Sequence, residues 1–103
     1  MLFRSTRNTG IANAVAAVDA GAQVLDSWIG GIGGCPFAPR ATGNISTEGL
    51  CYVLRNMGYD IGIDLPKLID VAKWTESYFD EPLPGQVMTA GLFPDDVLAK
   101  LAA

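Results

Sequence analysis

The sequence predicts an α/β fold, mostly helical with one or two short parallel strands, and three observations carry that prediction. Apolar residues recur at helical spacing in three separate stretches. A short, extended-looking run, Ala22–Ile29, lies between the first two. It feeds a glycine-rich segment, Gly30–Glu48, that holds five glycines, two prolines and a single thiol. So many glycines carry a large backbone entropy cost, which signals a special chain path or close approach to a ligand.

From Asn8 to Ala20, Ile11, Val15 and Val18 recur among small alanines, and Gly21 follows as a stop. This reads as an amphipathic helix whose small-residue face suits close packing. Ala22–Ile29, with Val24, Leu25, Trp28 and Ile29, reads as a strand leading into the glycines. After the loop, Leu50, Val53, Leu54 and Met57 form a stripe at i, i+3, i+4 and i+7, closed by Gly58. Ser46 or Thr47 should cap this helix, with Glu48 in its first turn complementing the helix dipole. Tyr59–Ile63 is a short connection with room for a strand of a few residues. Asp64 is a good N-cap, Pro66 is tolerated in the first turn, and Leu65, Leu68, Ile69 and Ala72 line one face of a helix reaching about Tyr78. Glu81–Gly85 breaks the pattern, leaving an irregular tail with a last helical turn or two between Pro94 and Leu101.

This alternation of helix, strand, helix, short strand and helix suits the closing units of a parallel α/β barrel. At 103 residues the chain is far short of the roughly 250 of a complete (β/α)8 barrel. A strand near Val24 would therefore have unpaired edges, so the isolated chain should be mostly helical, marginally stable and prone to associate.

Composition narrows the function. Half the residues are apolar, which argues against disorder throughout. A net charge of -4 argues against nucleic acid or an anionic membrane as the partner. No run approaches the roughly 18 apolar residues of a membrane span, and no secretory leader opens the chain. Two cysteines, Cys35 and Cys51, make neither a metal spacing nor a disulfide framework, so a reducing cytoplasm is the expected compartment. The glycines fail the dinucleotide pattern, no Gly-Lys-Ser/Thr occurs, and the absence of histidine excludes a Cys-His or Ser-His pair within this chain. Trp28 and Trp74 read as packing residues, Trp28 being large enough to overfill a tight interior.

The residues that carry chemistry lie in the loop. Cys35 is a candidate general acid or base, the alternative being a small buried apolar residue. Asn44, among polar neighbours from Thr42 to Thr47, reads unaided as a turn or cap residue.

The run Gly30-Gly-Ile-Gly-Gly-Cys-Pro-Phe-Ala-Pro-Arg-Ala-Thr-Gly-Asn44, with Thr47-Glu48 after it and Thr6-Arg-Asn-Thr-Gly-Ile-Ala-Asn13 before it, closely resembles the signature of the hydroxymethylglutaryl-CoA lyase family. The resemblance extends from about Thr6 to Pro94 and implies the C-terminal third of a (β/α)8 TIM barrel. It divides the chain into a start foreign to the family (1–5), barrel sequence (6–94) and a tail (95–103). It implies cleavage of a 3-hydroxy-3-methylglutaryl-CoA-type acyl-CoA to acetoacetate and acetyl-CoA, with Cys35 managing protons. It also implies Asn44 as an oxygen ligand of Mg2+ or Mn2+, and a homo-oligomer. Glu48 is either a first-turn helix charge or a carboxylate facing the substrate. Where the family has an acid three residues after Ser46 this chain has Gly49, which removes half of a capping box.

One departure is decisive for competence. The family's metal-binding His-x-His pair falls on Leu2 and Arg4, neither of which can ligate a cation, and its other ligands belong to earlier strands. The expectation is a truncated or aberrantly started reading frame, or an artificial junction, with a degenerate paralogue as the alternative. The chain alone should be inactive. The competing readings are a non-catalytic association module and a related enzyme acting on another acyl-CoA or 2-oxo acid.

Overall fold

The computed structural model describes residues 9–33, 44–80 and 82–93. In chain order these form α1 (Gly10–Asp19), a 3₁₀ turn (Ile29–Gly31), α2 (Thr47–Asn56), α3 (Leu65–Glu76) and α4 (Gln86–Ala90). The expected segments 1–5 and 95–103, and the helical turn from Pro94 to Leu101, lie outside the described residues.

α1 and α2 stop by the same device. Gly21 and Gly58 take positive φ, of 101° and 96°. Their N–H groups donate to Val18 and Arg55, and those of Ala22 and Tyr59 reach back to Ala17 and Leu54. This paired pattern satisfies carbonyls that the helix end would otherwise leave bare. At the starts, Ser46 Oγ accepts the Gly49 N–H at 3.1 Å, which settles the α2 cap on Ser46 rather than Thr47. Asp64 Oδ1 accepts the Lys67 N–H at 3.2 Å and caps α3, with Pro66 in the first turn. α3 ends at Glu76, and Ser77, Tyr78 and Phe79 continue it only as tight turns.

α2 separates two apolar clusters because consecutive residues on a helix are rotated by about 100° and so reach different neighbours. Leu50 joins Ala14 and Ile45, flanked by Ile11, Leu25 and Leu54. Cys51 joins Leu65, Ile69, Ala72, Met88 and Leu92, with Ile29, Ile61 and Leu83 packed against them. The fully buried Ala14 lets α1 approach α2 closely. α4 departs from the expected irregular tail: five residues become helical because Met88 fills the larger cluster.

The expected strands are reduced to isolated bridge residues among the described residues, Asp26 and Trp28 on one side and Asn44 and Ser46 on the other, with Trp28 and Ser46 paired in parallel. Trp28 N–H donates to Ile45 O at 3.1 Å, and Thr47 N–H to Trp28 O at 2.9 Å. Strand state depends on a continuous ladder with a neighbouring strand, and Val24 is 69% exposed. Tyr59–Ile63 forms no strand either. Nor are the tryptophans packed: Trp74 is 62% exposed, meeting Tyr78 edge-on at 5.0 Å, and Trp28 is half-exposed. No helix among the described residues is long and apolar enough to cross a membrane.

These placements separate core from surface in a measurable way. Leu65→Ala should lower unfolding free energy by about 2–5 kcal/mol, whereas Trp74→Ala should cost less than about 1.5 kcal/mol; urea denaturation followed by circular dichroism checks both. Burial pushes the Cys51 thiol above its ordinary range, and the charge of Glu48, one turn earlier on α2, pushes it the same way. A raised thiol value favours the protonated folded state, so its stabilising contribution is complete below the unfolded thiol's pKa and is lost as pH rises through the folded one. Stability should therefore fall as pH climbs beyond about 8.5, and Cys51→Ala should flatten that fall in melts recorded across the alkaline range.

Candidate functional site

The site is built where the bridge ends. After Trp28 the chain makes the 3₁₀ turn, with Gly30 and Gly31 both in the left-handed region at φ 63° and 72°. A side chain at Gly30 would be strained by the left-handed φ, and its Cβ would fall 2.5 Å from Leu83 Cδ1, so the leucine would have to shift. Ile32 and Gly33 then lead toward Cys35, which lies outside the described residues.

Asn44, on the returning strand of chain, sits against this exit. Its Nδ2 donates a long hydrogen bond to Ile32 O at 3.4 Å, and a Cβ on Gly33 would come within 3.0 Å of the same nitrogen. Both ends of the glycine-rich run are thus held together at its base. Next along, Ser27 and Thr47 hydroxyls share a hydrogen bond of 2.8 Å across the bridge.

Glu48 is fully buried. Its Oε1 accepts the Gly30 N–H at 2.7 Å, while Oε2 has no hydrogen-bond partner. That oxygen lies beside Gly85, where a Cβ would come within 2.9 Å of it. The Gly85 N–H in turn donates to Gly30 O at 2.9 Å. Removing the carboxylate would leave the Gly30 N–H buried without an acceptor, a loss of about 1–3 kcal/mol. A shallow depression lined by Gly31, Ile32, Gly33, Phe79, Asp80 and Leu83 opens beside the turn, with a volume of about 410 Å³.

The residues present do not fit a divalent cation. Among the described residues no group of three or more His, Cys, Asp or Glu side chains could hold one. Asn44 offers one neutral amide oxygen, and the free oxygen of Glu48 faces a glycine backbone rather than other ligands. Hard cations such as Mg2+ need several oxygen donors around them.

The sequence offers Asn44 and Glu48 as candidates but does not disclose their tertiary partners. The tie from Leu83 N–H to Glu76 Oε2, at 2.8 Å, and the Gly85 contact come from a segment read only as a helix breaker. Its Pro-Leu-Pro-Gly composition signalled a rigid turn, without saying what the turn would press against.

Comparison with known proteins agrees with this frame. Residues 4–74 match the HMGL-like family. The chain is 49% identical over 89 residues to the (R)-citramalyl-CoA lyase of Chloroflexus aurantiacus, covering 86% of this chain and 28% of that protein. It is 43% identical over 84 residues to the hydroxymethylglutaryl-CoA lyase YngG of Bacillus subtilis, covering 82% and 28%. The fold superposes with a TM-score of 0.85 and 39% identity on an HMG-CoA lyase from Acinetobacter baumannii solved with coenzyme A and 3-methylmalate, covering 91% of this chain and 31% of that one. The chain thus spans somewhat under a third of the length of these relatives, which are acyl-CoA lyases, and it belongs to the HMGL-like family.

Proposed function

We propose that this chain is the C-terminal part of a (β/α)8 lyase that breaks a carbon–carbon bond in a 3-hydroxyacyl-CoA, the favoured substrate being of the 3-hydroxy-3-methylglutaryl-CoA type. The observation that carries the reading is the glycine-rich, single-thiol run seated on a backbone that superposes on an HMG-CoA lyase at a TM-score of 0.85.

In this reaction the tertiary hydroxyl loses its proton and its carbon becomes a ketone. The bond to the carbon beside the thioester breaks, and the electron pair passes into the thioester enolate. A proton delivered to that carbon completes acetyl-CoA, and acetoacetate leaves. Cys35 is the proposed group for moving a proton at this centre, because a thiol on a glycine-rich loop can be both acid and base. Asn44 is proposed to contribute an amide oxygen to a cation site in a longer protein.

A second reading has its own support. The 49% identity to a citramalyl-CoA lyase favours a shorter hydroxy acid carried on the same thioester, cleaved by the same bond change. The two readings differ in the acid that must be fitted, not in the electron flow.

The purified chain should turn over neither substrate in the presence of Mn2+. A chimera in which residues 6–93 replace the matching segment of the Bacillus subtilis relative should be active, and Cys35→Ala should lower its kcat by about 10²–10⁴-fold. The ratio of kcat/KM for the two acyl-CoA substrates decides between them. A folded, inactive chimera, or full activity without the thiol, would contradict the proposal.

A further inference from the structure

We infer that Glu48 is a positioning residue which, with the strap Pro82–Gly85, clamps the Ile29–Gly31 turn from two sides and sets the direction in which the thiol-bearing loop leaves the scaffold. The inference rests on the proposed function only in taking that loop as the place of the chemistry.

Two successive glycines in the left-handed region have many other conformations open to them, so something must select this one. Glu48 reaches from the first turn of α2 and accepts the Gly30 N–H at 2.7 Å. The strap closes the opposite side. Its Gly85 N–H donates to Gly30 O at 2.9 Å, Leu83 covers the space beside the Gly30 Cα, and Pro84 Cγ would stand 3.2 Å from a Cβ on Gly31. The strap is itself anchored, because Leu83 N–H donates to Glu76 Oε2 on α3 at 2.8 Å. Gly30 is thereby fixed through both its N–H and its carbonyl to two different parts of the core.

The orphaned Oε2 completes the account. Glu48 is fully buried with one carboxylate oxygen unpartnered, which is costly unless the residue does something an apolar side chain could not. Holding a turn requires an acceptor at Oε1 and nothing of Oε2. Gly85 is glycine because a Cβ would meet Oε2 at 2.9 Å and Gly30 O at 3.1 Å. The clamp therefore needs the pair, a long acid on α2 and a residue without a side chain on the strap.

Amide hydrogen exchange on the whole chain, read by NMR, tests this without any activity. In Glu48→Ala the Gly30 amide should exchange at least about tenfold faster, and by a clearly larger factor than Ile69 in α3. Glu48→Gln keeps an acceptor oxygen and should hold Gly30 within about threefold of the parent rate. Gly85→Ala should release Gly30 as Glu48→Ala does. Unchanged protection in Glu48→Ala, or equal loss in the glutamine variant, would overturn the clamp. If Glu48→Ala loses protection by the same factor everywhere, Gly85→Ala decides: a larger loss at Gly30 than at Ile69 upholds the clamp, and an equal loss at both overturns it. An inactive chimera would leave all of these exchange results standing, so the two readings fail separately.

Discussion

The structure depends on one hydrogen bond, from the Gly30 N–H to the buried carboxylate of Glu48. It joins the turn that opens the glycine-rich run to the helix that follows the run. Everything around it is arranged so that this bond can form. Ser46 caps α2 and so fixes where Glu48 emerges, the Trp28–Ser46 bridge brings the turn and the cap side by side, and the strap closes over both. The loop between is long, yet its two described ends meet within a few ångströms, at Asn44 and Ile32. The ends of a loop built this way are placed by the scaffold.

Much of the fold was legible because it is written in local signals. The helix stops at Gly21 and Gly58 and the Asp64 cap need only a few neighbouring residues to be read. The α3 face of Leu65, Leu68, Ile69 and Ala72 follows from periodicity alone, and the structure buries that face. What failed was non-local. Ala22–Ile29 has the composition of a strand, but strand formation is a property of neighbours, and only Asp26 and Trp28 reach bridge state. α4 forms because Met88 meets a core assembled from residues far earlier in the chain.

The candidate site divides in the same way. Glycine density and the single thiol marked the loop, and resemblance marked Asn44 and Glu48. No periodicity indicates that a first-turn acid turns inward, because its direction is decided by the strap thirty-odd residues later, where a glycine leaves room for it. Trp74 shows the reverse error: a large aromatic on a helix reads as core, and its exposure follows from lying opposite the buried α3 face. The chain shares its frame with acyl-CoA lyases over less than a third of their length. Frame and competence are accordingly separate properties, since among the described residues no group of three or more His, Cys, Asp or Glu side chains could hold a cation.

The most direct measurement of the central claim is the scalar coupling transmitted through a hydrogen bond, between the Gly30 amide nitrogen and the Glu48 carboxyl carbon, in the isotope-labelled chain. A resolved correlation joining those two nuclei is expected. A correlation from Gly30 to any other carbonyl, or none while helix hydrogen bonds in α3 are detected, would contradict it.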